Sequence, residues 1–176
     1  MEVKLFFAVL PPPDIGRKIE SLGAHIRKAR GLRGRMIDAE RLHNALTPVH
    51  APNLSPRQVV ACAKAAADDL HFPAFPVRFE WTQSFAHKGH KPFVLSGGDG
   101  LAALRVFQGG LREAMVRAGL SVISGFTPHI TLLWADRLVD EDAPIAPLEW
   151  TVRDFTLVAS LSGQSRHIHL AHWRLT

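Results

Sequence analysis

The chain has 176 residues, 47% hydrophobic and 21% charged, the balance of an ordinary globular protein with enough length to bury one good core. Lys plus Arg exceed Asp plus Glu by 21 to 16 and the sequence pI is near 10.0, which suits a polyanionic partner such as RNA and equally a merely soluble basic surface. Cys62 is the single cysteine, so an intramolecular disulfide and a cysteine-based zinc site are excluded. No apolar run reaches membrane-spanning length and no basic stretch precedes the first one, so neither a membrane span nor a signal peptide is expected, and the default location is cytoplasmic.

Residues 3–9, VKLFFAV, read as a strand that Pro11 to Pro13 stop. Asp14 suits an N-cap, and Ile15, Ile19, Leu22 and Ile26 recur at helical spacing up to about Ala29, before a Gly/Arg loop. Leu42 to Val49 read as a second strand. Ser55 followed by Pro56 opens a helix to about Leu70, with Cys62 buried on it. FPVRFEWTQSF and KPFVLSGG read as strands joined by the polar turn AHKGH. Asp99 is placed to cap a long helix through about Ala118; Ser121 to Ile123 read as a short strand or loop, and Thr127 to Trp134 as a strand. Residues 136–147 read as a loop, and EWTVRDFTLVASLS and RHIHLAHWRL as a hairpin across Gly163-Gln164. Each half thus runs helix, histidine-bearing strand, then hairpin, a weak internal repeat without a low-complexity linker.

The chemistry is concentrated on the two histidine-bearing strands. Alternate side chains of a strand face one way, so His129 and Thr131 project together. An imidazole moves a proton near neutral pH, and a hydroxyl can donate to a phosphate oxygen. Cleavage of a phosphodiester needs two proton movers, and a second histidine, His43, lies about half a chain earlier. One His-x-Thr is weak evidence, since a lone strand histidine is more often structural. Two histidine-bearing strands half a chain apart, with their flanks, carry more.

Those flanks, KLFFAVLPPPD at the start, LHNAL at 42–46 and FTPHITLL at 126–133, with KPFVLSGGDGLAALR and WTVRDFTLVASLSGQSRHI beyond, resemble the bacterial RNA 2′,3′-cyclic phosphodiesterases. These were historically called 2′-5′ RNA ligases and belong to the 2H phosphoesterase superfamily. The resemblance covers nearly all of residues 1–176. It implies a single α+β domain, bilobal, with two antiparallel sheets lining a central cleft, helices outside, and lobes related by a pseudo-two-fold axis. It also implies His43 and His129 as the catalytic pair, His43 as acid on the leaving ribose O3′ and His129 activating water, with Thr131 a phosphate-binding hydroxyl. The implied reaction hydrolyses a 2′,3′-cyclic phosphate at an RNA end or on a small cyclic nucleotide to a 2′-phosphate, with weak reverse 2′-5′ ligation. Neither a metal nor another cofactor is implied, and a monomer is expected.

Two positions depart from the pattern. The first motif reads His43-Asn44-Ala45, so a methyl stands where a hydroxyl is implied. Thr47 is predicted on the same face but roughly 13 Å from His43 at about 3.3 Å per residue. After the second motif, Trp134 takes the place of a basic residue and the charge is delayed to Arg137, the candidate substrate contact there. Phe6 and Phe7 must face opposite ways; one enters the core and the other stacks on a base, and Phe7 is assigned to the cleft. His87 and His90 read as solvent-exposed turn residues. His167 and His169 share a predicted face that His172 does not, which disfavours a three-ligand metal site and leaves His167, with Arg166, a minor candidate for a phosphate contact. SGGDGLAALR lacks a P-loop pattern and reads as helix capping. Trp81, Trp150 and Trp173 read as core or rim residues. A competing reading is an RNA-end binding protein that has lost most activity through Ala45; a structural scaffold is a third.

Overall fold

The computed structural model describes residues 2–86, 89 and 91–176; His87 and His90 lie outside the described residues. The nearly continuous apolar run VKLFFAV forms strand β1 (Val3–Val9), and β-branched and aromatic runs supply the partners it needs. β1 is central in a four-stranded antiparallel sheet of order β3-β1-β8-β9, where β3 is Asn44–Val49, β8 Asp154–Leu161 and β9 Arg166–Arg174. The second, five-stranded antiparallel sheet has the order β2-β6-β5-β4-β7, with β2 Gly34–Met36, β4 Phe75–Ser84, β5 Pro92–Ser96, β6 Ile130–Ala135 and β7 Ala143–Val152. Three α-helices complete an α+β fold: α1 (Pro13–Ala29), α2 (Pro56–Asp68) and α3 (Ala102–Arg117). Helix α1 packs against β6, whereas α2 and α3 pack on each other and reach β9, β3 and β4.

Buried side chains from both sheets and all three helices form one continuous apolar cluster, including Phe7, Ile19, Phe79, Phe93, Phe107, Leu132 and Phe155. Burying side chains of this size stabilises the fold by about 1.5–3 kcal/mol each. Trp150 and Trp173 are partly buried against the cluster, as is Cys62 on α2. Among the described residues no helix is long and apolar enough to cross a membrane.

Local signals placed the helices well. Ser55 forms a full capping box with Gln58, each side chain bonding the other residue's backbone N–H. Helix α1 begins one residue before Asp14, with Pro12 at the cap and Pro13 in the first turn, where proline's fixed φ and missing N–H do no harm. Asp99 does not cap α3; it opens a 3₁₀ turn, Asp99–Leu101, that leads into the helix.

Two strands escape the local pattern. β2 lies in the expected Gly/Arg loop and pairs with β6; at Gly34, φ is +129° and a Cβ would collide with the Trp134 carbonyl oxygen, so only glycine fits there. β7 begins inside the expected loop 136–147, and the stretch expected as one strand of the hairpin is two. Residues up to Val152 pair with β4 in one sheet, and residues from Asp154 pair with β1 in the other. Pro144 and Pro147 are tolerated because β7 is an edge strand with one unpaired side.

Candidate active site

The two motif histidines sit just before strands, not within them: β3 starts at Asn44 and β6 at Ile130. Each is held by the same local bond. The Nδ1 of His43 lies 2.8 Å from the carbonyl oxygen of Arg41, and the Nδ1 of His129 lies 2.8 Å from that of Thr127. A carbonyl only accepts, so each Nδ1 carries the proton and each Nε2 is left as the titrating nitrogen. The two sheets are tied at this point. Asn44, 1% exposed, accepts the backbone N–H of His129 on its Oδ1 at 2.8 Å. The segment before His43 is fixed in turn by Glu20 of α1, whose carboxylate accepts the N–H of Ala39 at 2.5 Å.

Aromatic rings wall both imidazoles. Phe6 lies against His43 with ring centroids 5.1 Å apart, and His167 of β9 meets both, at 5.0 Å from His43 and 5.7 Å from Phe6. Phe85 meets His129 edge-on at 4.9 Å. Burial pushes the pKa of His43 below its usual value, against the Arg41 carbonyl bond that raises it; the charges of His129, Arg41 and His169 lower it further. Burial likewise lowers His129. His167 is pushed down to about 4 by burial and by the charges of His43, Arg41 and His169. Arg41 is lowered by burial and by Arg35, partly offset by Asp38, and its Nε is buried without a hydrogen-bond partner. Cationic groups thus converge here, and no carboxylate contributes to the shifts of His43, His129 or His167. That arrangement suits an anion.

The candidate substrate contacts fare unevenly. Thr131 is half-buried on β6, two residues beyond His129. Ala45 is half-buried on β3 and pairs with Ala8. Phe7 is not in the cleft: it is fully buried against Phe155 and Trp173, and Phe6 takes the opposite, histidine-bearing face. Arg137 is also elsewhere. Its guanidinium donates to the carbonyls of Arg30 and Gly31 at 2.7 and 3.3 Å, where α1 ends and exposed carbonyls need donors.

Two bulges change which side chains share a face. Ala8 pairs with Ala45 but Phe7 with Thr47, so Leu46 is an extra residue and Thr47, 3% exposed, turns to the core beside Phe7. In β9, Leu157 pairs with Ala171 and Val158 with His169, leaving Leu170 extra. His172 thereby joins His167 and His169 on one face, opposite Thr156, Ser160 and Val158 respectively. Even so, among the described residues no three His, Cys, Asp or Glu side chains form a potential metal site. Asn44, Phe6, Phe85 and Arg41 went unassigned in the sequence; Arg41, a basic residue two before the motif histidine, was the most visible signal.

No family profile and no curated protein matches the sequence. Solved structures do. A phosphoesterase crystal structure superposes with a TM-score of 0.78 at 26% identity, covering 99% of both chains. Escherichia coli LigT in complex with 3′-AMP gives 0.78 at 27% identity over 98% of both chains. The chain has the LigT-like fold of the 2H phosphoesterase superfamily. A Thermus thermophilus protein at 23% identity, TM-score 0.70, covering 98% of this chain and 97% of its own, shares the LigT-like fold. The likeness to a phosphoesterase and to LigT supports a phosphoesterase activity for this chain.

Proposed function

We propose that the protein hydrolyses 2′,3′-cyclic phosphates, at RNA ends or on small cyclic nucleotides, to 2′-phosphates without a metal. The observation that carries this reading is the matched pair of Nδ1-to-carbonyl bonds, which gives both histidines the same tautomer and leaves both Nε2 atoms to move protons. In the reaction, neutral His129 takes a proton from water on Nε2 as the water oxygen bonds phosphorus. The bond from phosphorus to O3′ breaks, and protonated His43 gives its Nε2 proton to O3′. Thr131 donates to a non-bridging oxygen, where charge builds in the transition state. Phe6 offers a ring face to a base beside His43. Related LigT structures were solved with 3′-AMP, ATP, phosphate and NADP+, which supports a nucleotide phosphate as the substrate here.

The test is turnover of a 2′,3′-cyclic mononucleotide and of an oligoribonucleotide with a cyclic phosphate end, in EDTA, with the product's phosphate position read by phosphorus NMR. A 2′-phosphate formed in EDTA is expected; activity restored only by added zinc or magnesium would overturn the metal-free reading. Ala45 favours a second reading, a weakly active or inactive RNA-end binding protein. It predicts binding of the RNA end without turnover in the same assay.

A further inference from the structure

The first lobe lacks its hydroxyl at Ala45, yet a third imidazole stands against the proposed acid. His167 lies on the same face of its sheet as Phe6, since it pairs with Ser160 and Phe6 pairs with Val158, two residues along β8. Its ring meets those of His43 and Phe6 edge-on. His43 and His129 each have one ring nitrogen bound to backbone; among the described residues neither ring nitrogen of His167 has a hydrogen-bond partner. It is half-buried. The groups that face it are His43 and Arg41 from the segment before β3, Phe6 from β1 and His169 from its own strand. None of them accepts a hydrogen bond from it.

We propose that His167 contacts the substrate, its neutral imidazole donating an N–H to a non-bridging oxygen of the phosphate on which His43 acts. It thereby supplies the first-lobe donor that Ala45 cannot. Ring centroids 5.0 Å apart bring two imidazoles within reach of one phosphate, whose oxygens hydrogen-bond at about 2.7–3.0 Å. A neutral imidazole always keeps one N–H, and burial with the neighbouring charges lowers His167 to about 4, which favours that neutral form. This site is peculiar to β9 and does not follow from the two histidine motifs.

The inference rests on the cyclic phosphodiesterase reading, and its test separates the two. Steady-state kinetics on a 2′,3′-cyclic mononucleotide would compare wild type with His167→Phe, which keeps a ring against Phe6 and His43 but has no N–H, and His167→Gln, which keeps a donor. We expect His167→Phe to lower kcat roughly 10- to 100-fold at an unchanged Tm, the scale for a lost transition-state donor. His167→Gln should retain most of the rate, and Ala45→Thr should restore much of it to His167→Phe. Wild-type kcat in a folded His167→Phe, or equal losses in the Phe and Gln variants, would overturn the proposal. Should the wild type turn nothing over, titration with inorganic phosphate decides the point. Weaker binding by His167→Phe would leave the donor assignment standing while the hydrolysis reading fails; equal affinity would overturn the donor assignment as well.

Discussion

Asn44 Oδ1 accepts the backbone N–H of His129 at 2.8 Å, so the residue between His43 and Ala45 on one sheet positions the histidine that precedes a strand of the other. One short side chain thus sets the relative placement of two groups that must act on one phosphorus atom, and small misplacements of such groups are costly. Asn44→Ala leaves that N–H without its partner, at a cost of about 1–3 kcal/mol of stability. Denaturant melts should show that loss. The variant's kcat should fall further than that of a control core substitution of equal stability cost, Val59→Ala on α2.

The methyl of Ala45 lies two residues beyond His43 and pairs with Ala8. Thr suits a strand at least as well as Ala, so Ala45→Thr should leave the melting temperature almost unchanged. Its hydroxyl adds a donor at developing charge, and kcat should rise roughly 10-fold or more. The gain should be larger in a His167→Phe background, because the two donors serve one phosphate. An unchanged kcat in both backgrounds would mean that position 45 does not face the phosphate.

Arg41 combines an orphaned Nε with charge felt by both His43 and His167. A bound phosphate would supply the missing acceptor. Arg41→Gln leaves the backbone carbonyl that holds His43 and should raise KM about 10-fold, the loss of one charge-assisted hydrogen bond. The salt dependence of kcat/KM should also weaken in the variant; an unaltered KM and salt response would place Arg41 outside the substrate site.

Folding keeps three histidines below their ordinary pKa, so between about 6.5 and the folded values the unfolded chain binds more protons than the folded one. Stability should therefore be full above about pH 6.5 and fall as pH drops toward the folded pKa values, the window for His167 ending near 4. Thermal melts from pH 7.5 to 4 should show this decline, and His167→Gln should reduce its slope. A Tm independent of pH across that window would contradict the burial of these rings.

Much of the fold was legible because local signals and tertiary packing agree. The apolar run VKLFFAV and the Ser55 capping box each state their own outcome. Strand parity failed where an extra residue enters a ladder. The bulges at Leu46 and Leu170 turn Thr47 inward and bring His172 round, and period-two reasoning cannot see an insertion that only the partner strand defines. Parity also required Phe6 and Phe7 to part without saying which way, since that depends on which face of β1 the helices cover. β7 was hidden by its two prolines, acceptable only at a sheet edge. Asn44 bonds from one sheet to the segment before a strand of the other, and His167 reaches His43 from a strand more than a hundred residues later; no spacing along the chain encodes such contacts.

The pH dependence of kcat/KM for wild type, His43→Ala and His129→Ala on a 2′,3′-cyclic nucleotide in EDTA tests the two-histidine mechanism most directly. The rate needs His129 neutral and His43 protonated, so the wild-type profile should be a bell, with its maximum below pH 6.5 because burial lowers both histidines. Each variant should lose roughly 10²-fold or more, and the double variant should be little worse than the slower single one. His129→Ala should lose the acid limb and keep the alkaline one, and His43→Ala the reverse. Retention of both limbs in either variant, or wild-type activity in either, would contradict the account.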